Sequence, residues 1–163
     1  MKLTPVLCWL VVIVLVVVRF SQIKPDGWVG TLNESGQKEG LWTEWWNGGK
    51  SEEGEYKDGK KEGLWTSWWP KAGKWNEGEY KDGNKEGLWT HWYYNGQKET
   101  EVGYKDGKWE GLYIDWHENG QKSEEGGHKD GKREGLWTRW GENGNKTSEI
   151  EFKDGFLIRR TDF

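Results

Sequence analysis

The chain has 163 residues, among them 25 glycines and 15 tryptophans; 32% are charged, and the formal net charge is −4. That length suits one domain. Beyond residue 20 aliphatic side chains are scarce and the residues from 26 on carry 21 basic against 28 acidic groups, which excludes an ordinary Leu/Ile/Val core and argues against nucleic-acid binding.

"MKLTPVLCWLVVIVLVVVRF" opens the chain with an unbroken apolar run from Pro5 to Val18, flanked by Lys2 and Arg19. It predicts one hydrophobic N-terminal helix over residues 1–20, a signal anchor or signal peptide, followed by a linker at 21–26. The fourteen apolar residues span about 21 Å as a helix, short of the roughly 30 Å hydrocarbon core. Extending from Leu3 to Phe20, with Lys2 and Arg19 snorkelling, nearly crosses a membrane. No small-x-small pair follows the run, since Arg19, Phe20, Gln22, Ile23 and Lys24 stand there. The expectation is a single-pass membrane anchor; cleavage would leave a secreted or periplasmic body. Cys8 is the only cysteine, so no intrachain disulfide and no Cys-based metal site forms.

From residue 27 the chain repeats. The Gly-Leu-aromatic triplet stands at Gly40-Leu41-Trp42, Gly63-Leu64-Trp65, Gly87-Leu88-Trp89, Gly111-Leu112-Tyr113 and Gly135-Leu136-Trp137, in steps of 23, 24, 24 and 24 residues. A turn column runs in phase with it, from Ser35-Gly36 through Asp58-Gly59 to Asp154-Gly155. Another lies half a repeat away, at Asn47-Gly48, Lys71-Ala72, Asn95-Gly96, Asn119-Gly120 and Asn143-Gly144. A fixed period of this length signals a repeat architecture. Asn-Gly and Asp-Gly favour type I′ hairpin turns, which need φ > 0 at both central residues. Two turns per repeat give two strands per repeat, near residues 39–46, 50–57, 61–69, 74–81 and onward. About a dozen strands result, in a sheet roughly 55 Å wide. The fold expected for 27–163 is all-β: an elongated, single-layer antiparallel meander of β-hairpins in about five to six repeats.

Such a sheet must find its core in aromatic rings. Alternation in "GLWTHWYY" places Leu88, Thr90 and Trp92 on one face and Trp89, His91 and Tyr93 on the other. Stacked repeats make two columns, Trp45, Trp68, Trp92, Trp116, Trp140 and Trp42, Trp65, Trp89, Tyr113, Trp137, with like residues about 9 to 10 Å apart. Gly54, Gly78 and Gly126 offer bare backbone on which a ring can lie. Both columns serve as packing, and both are candidate ligand-binding rows for a protein partner or for the sugar rings of a glycan or cell-wall chain. At the end of the array "FLIRRTDF" breaks the pattern, and Arg159, Arg160 and Asp162 are expected to discourage pairing with another chain.

"EGEYKDGKKEGLW", Glu53 to Trp65, resembles the MORN repeat, whose core reads roughly Y-x-G-x-[aromatic]-x-x-G-x-x-x-G-x-G. The alternation of "YYNGQK" with "YKDGKxEGLW" is similar to the bacterial variant found in proteins labelled antitoxin-like. This resemblance implies an elongated, twisted sheet of hairpins used as scaffolding, in contact with protein or membrane lipid. An antitoxin that neutralises a partner toxin is a further implication. Leu-Trp-Thr replaces the last Gly-x-Gly of the eukaryotic pattern.

No catalytic constellation stands out. Glu62, Glu86, Glu110 and Glu134 recur identically in each repeat, whereas an enzyme needs one asymmetric, supported site. His91, His117 and His128 lie outside metal-ligand spacing, and His91 and His128 read as surface replacements of repeat residues. The Asp column of the turns is explained by turn chemistry, and Lys57, Lys81, Lys105, Lys129 and Lys153 beside it oppose a cation. The sequence therefore predicts a non-catalytic interaction scaffold without metal or cofactor.

Overall fold

A computed structural model describes residues 26–163; the predicted N-terminal helix and linker residues 21–25 lie outside the described residues. Twelve strands follow in order: β1 Gly27–Leu32, β2 Lys38–Trp46, β3 Gly49–Lys57, β4 Lys60–Trp68, β5 Lys74–Lys81 and β6 Asn84–Trp92, then β7 Lys98–Lys105, β8 Lys108–Trp116, β9 Lys122–Lys129, β10 Lys132–Trp140, β11 Lys146–Lys153 and β12 Phe156–Asp162. Each pairs antiparallel with its sequence neighbours in one open sheet, β1 and β12 being the edges. The fold is the expected single-layer meander, and no helix occurs among the described residues.

Asp58-Gly59 shows why the first turn column uses those residues. Its φ values are 48° and 77°, the left-handed pair a type I′ turn demands; Asp82, Asp106, Asp130 and Asp154 repeat the geometry. The second column departs from expectation. Asn47 keeps a positive φ, but at Asn95, Asn119 and Asn143 only the following glycine does. These are longer loops, closed by Gly96 N–H to Tyr93 O and Tyr93 N–H to Gln97 O, both 2.9 Å. The asparagine stabilises them with its side chain, Asn95 Oδ1 accepting from Gln97 N–H at 2.9 Å.

The Gly-Leu-Trp triplet is a bulge. Between β3 and β4, Glu53 pairs with Thr66 and Glu55 with Glu62, so Gly54 alone faces Gly63, Leu64 and Trp65. Gly63 absorbs the excursion at φ 66°. The Trp65 ring then folds back over Gly54, so closely that a Cβ there would lie 2.2 Å from it. Where the bulge opens the ladder, Trp65 Nε1–H donates to Glu55 O at 3.1 Å. Trp42 over Gly30, Trp89 over Gly78 and Trp137 over Gly126 repeat the arrangement, with Nε1–H bonds of 3.0, 3.0 and 3.2 Å to the carbonyl one residue on. Glycine and indole are thus one two-residue device.

Between β7 and β8 the device changes. Val102 fills the cradle, and Tyr113, without an indole N–H, sits directly opposite it. The bulge moves to Gly103, where a Cβ would meet Glu110 O at 2.1 Å. Ile150 fills the corresponding place in β11, and β12 accordingly lacks a Trp.

Candidate functional site: the two faces of the sheet

One face is closed by an aromatic spine. Trp42, Trp65 and Trp89 are 2% exposed and Trp137 is fully buried. Tyrosines interleave edge-on: Trp42 to Tyr56 at 5.8 Å, Tyr56 to Trp65 at 5.0 Å, Trp65 to Tyr80 at 6.0 Å and Tyr80 to Trp89 at 5.0 Å. Cations roof the rings. Lys38 stands 4.3 Å from the Trp42 ring centre, Lys61 3.8 Å from Trp65, Lys85 3.9 Å from Trp89, and the Arg133 guanidinium 3.9 Å from Trp137. Each adds about 0.5–2 kcal/mol by cation–π attraction. Burial depresses the Lys85 pKa, with Lys61 nearby adding to the effect. The column Trp42, Trp65, Trp89, Tyr113, Trp137 therefore works as the core, with its indoles out of reach of solvent.

Two histidines belong to this face, and the surface reading of them is corrected. His128 is 6% exposed, in the place that Tyr56, Tyr80 and Tyr104 hold elsewhere. Around it stand Trp109 at 4.7 Å, Trp137 at 4.9 Å and Tyr113 at 5.6 Å. His91 lies 6.5 Å from the Trp89 ring. Nδ1 of each is buried without a hydrogen-bond partner. Desolvation lowers both pKa values, aided by Lys85 at His91 and by Arg133 at His128. Trp109 occupies the roofing position, so in this repeat an indole replaces the cation. Burial, with Asp115 and Glu124 near, pushes the Tyr113 hydroxyl up to about 12.

The glutamates of the triplets hold the repeats together. Glu39, Glu62, Glu86, Glu110 and Glu134 each accept the backbone N–H of the next turn aspartate, at 2.8–2.9 Å. At the opposite strand ends, Trp69 Nε1–H and Tyr93 O–H donate to the carbonyls of Trp92 and Trp116 at 3.0 and 2.7 Å, and His117 Nε2 lies 3.0 Å from Trp140 O. Three unlike side chains perform one duty that no sequence motif announces.

The other face is open and striped. Its first stripe is leucine: Leu41, Leu64, Leu88, Leu112 and Leu136 are 53–60% exposed. The bulge that turns each Trp inward leaves the preceding leucine standing outward. A polar stripe follows, where Glu53 accepts from Thr43 and from Lys50, both at 2.8 Å; Glu77, Glu101, Glu125 and Glu149 pair with Lys74, Lys98, Lys122 and Lys146. The Lys50 hydrogen bond lowers the Glu53 pKa against desolvation. Next comes the column Trp45, Trp68, Trp92, Trp116, Trp140, with Trp45 exposed and the others half-buried. Lys50, Lys74 and Lys98 stand 5.1–5.7 Å from the rings of Trp68, Trp92 and Trp116.

The leucine stripe is not uniform. Leu41, Leu64 and Leu136 face Glu55, Glu79 and Glu151 across the strands, whereas Leu88 and Leu112 face Gly103 and Gly127. A shallow depression of about 570 Å³ opens beside Leu112, lined by Leu136, Thr138 and Trp140, by Gly126 and Gly127, and by Glu125 and Glu134. The leucines were missing from the sequence-derived candidates because only the aromatic columns were read as binding rows, although alternation already set Leu88 on the face of Trp92.

No curated protein matches the chain. The family model described as the MORN repeat variant matches residues 85–106 and 133–154, without extending to an antitoxin-like subgroup. Each segment runs from a roofing cation, Lys85 or Arg133, to the turn aspartate that the adjacent glutamate holds, Asp106 or Asp154. These two segments are thus similar to the MORN repeat variant, and MORN repeats are commonly found in protein- or membrane-binding scaffolds.

Proposed function

We propose that the protein is a non-catalytic scaffold that docks a protein partner on its leucine- and tryptophan-striped face, and that the apolar segment at 1–20 holds it at a membrane. The observation that carries the reading is the outward leucine row. Five leucines more than half exposed in register are a cost in solution that apolar contact removes. Leu112 and Leu136, which line the Gly126–Gly127 depression, are its natural anchor point, and Leu88 stands next to them in the same exposed stripe.

The test compares the full chain with a Leu88→Ser/Leu112→Ser/Leu136→Ser variant in quantitative co-purification from the native membrane fraction. The scaffold reading expects a protein enriched by the parent chain and lost with the variant, at unchanged melting temperature. Equal recovery by both would sink it. Binding of both chains to protein-free vesicles or to isolated glycans, with no leucine-dependent protein, would reassign the face.

A further inference from the structure

We infer that the sheet continues from one copy of the chain to the next, the β12 edge of one molecule pairing with the β1 edge of another. The basis is the phase of the repeat. β12 occupies the place of a triplet strand: Thr161 pairs with Glu149 as Thr66 pairs with Glu53, and Leu157 pairs with Phe152 as Lys61 pairs with Tyr56. β1 occupies the place of the strand that follows one. Val29 pairs with Thr43 as Glu53 does with Thr66, Leu32 with Lys38 as Tyr56 with Lys61, and Gly30 cradles Trp42 as Gly54 cradles Trp65. The strand due after β12 is therefore of β1's kind and direction.

The side chains that such a join brings together differ from those inside the array in a matched way. Within the array the roofing cation reaches the aromatic of the next strand, Lys61 to Tyr80 at 5.2 Å and Lys85 to Tyr104 at 5.0 Å. At the join that pair becomes Leu157 with Leu32, 57% and 54% exposed in the single copy. Cation and ring have both been exchanged for aliphatic groups, as a contact between two chains favours. The register of β2 on β3, where Trp42 pairs with Gly54 and Thr43 with Glu53, places Arg160 opposite Gly30 and Thr161 opposite Val29. It also brings Arg160 beside Trp28, whose ring is 55% exposed and stacks on Trp42 at 4.4 Å. The charges expected to guard β12 are matched within the chain, Arg160 by Asp162 at 2.8 Å and Arg159 by Glu151 at 3.7 Å. Phe156, Leu157, Ile158 and Phe163, meanwhile, are 57–72% exposed. A head-to-tail contact of this kind leaves the same two edges free at the ends, so it propagates into an open array.

Val29→Cys with Thr161→Cys, in a Cys8→Ser background of the full chain, tests the join under mild oxidation in the membrane. The two positions lie at opposite edges of the twelve-stranded sheet, about 50 Å apart, too far for a disulfide within one copy. The join predicts a ladder of dimers, trimers and longer species from the double variant and none from either cysteine alone. Adding Leu32→Lys and Leu157→Lys places like charges together and should cut the ladder at least tenfold, and Leu32→Glu with Leu157→Lys should restore it. Absence of a ladder, dimers from a single cysteine, or a ladder indifferent to the paired lysines would overturn the inference.

Discussion

Trp89 and Trp92 stand three residues apart in β6 and meet opposite fates. Trp89 is 2% exposed beneath Lys85, over Gly78 and between Tyr80 and Tyr104. Trp92 is half-buried on the open face with Lys74 at 5.7 Å. The same residue type is core on one face and surface on the other, as strand alternation over three residues requires. The two faces divide the labour: the spine face carries stability, and the striped face is free to carry recognition.

The largest effect should come from removing a spine ring. Trp89→Ala is expected to lose about 3–5 kcal/mol in denaturant unfolding, against about 1 kcal/mol for Trp92→Ala, whose surface is already partly in water. Comparable losses at the two sites would erase the distinction between the faces. Gly78→Ala comes next. Its Cβ would stand 2.3 Å from the Trp89 ring, and displacing that ring costs about 1–3 kcal/mol. Gly96→Ala is no control, because its φ is 86°; Gly73→Ala, where an added Cβ meets nothing within 4 Å, is the suitable one.

Glu86→Gln weakens the bond to Asp106 N–H. It should cost about 1 kcal/mol, seen as faster hydrogen exchange at that turn before any change in the spine. The smallest effect on the spine side depends on pH. His91 and His128 titrate below the ordinary value of 6.5 when folded, so the unfolded chain takes up the protons first. Their neutral forms cost nothing above that pH; stability then falls as pH drops from 6.5 through the lowered folded values. Glu53, Glu77 and Glu134, whose folded pKa values are lowered, lose their contribution only further down, below about 4.5. His128→Tyr, which writes in the residue of its column, should flatten the melting-temperature profile between pH 7.5 and 5. An unchanged slope would contradict the buried placement.

Much of this was legible in the chain. Asp58-Gly59 and its copies gave the first turns, the 24-residue step gave the strand order, and strand bounds agree to within a residue or so, as with 50–57 against Gly49–Lys57. Gly54, Gly78 and Gly126 were read as seats for rings, which they are. Less visible was anything that depends on register across two strands. Alternation set Leu88 on the face of Trp92 and away from Trp89, but how far Leu64 and its equivalents stand exposed depends on the bulge that lays two extra residues opposite Gly54. Nothing local shows that Glu86 holds a turn twenty residues on or that Lys85 roofs an indole. His128 looked like a surface exchange because its neighbours Trp109 and Trp137 arrive from adjacent strands. Period and turns are local properties of a sequence, while burial in a single-layer sheet is settled between strands.

The division between the faces meets its most direct test in the Leu88→Ser/Leu112→Ser/Leu136→Ser variant, followed for melting temperature and for partner recovery in the same preparation. The expected outcome is a melt like that of the parent, since exposed substitutions stay within about 0.5 kcal/mol each, together with loss of the bound protein. A melt lowered as far as that of Trp89→Ala, or a partner retained in full, would contradict it.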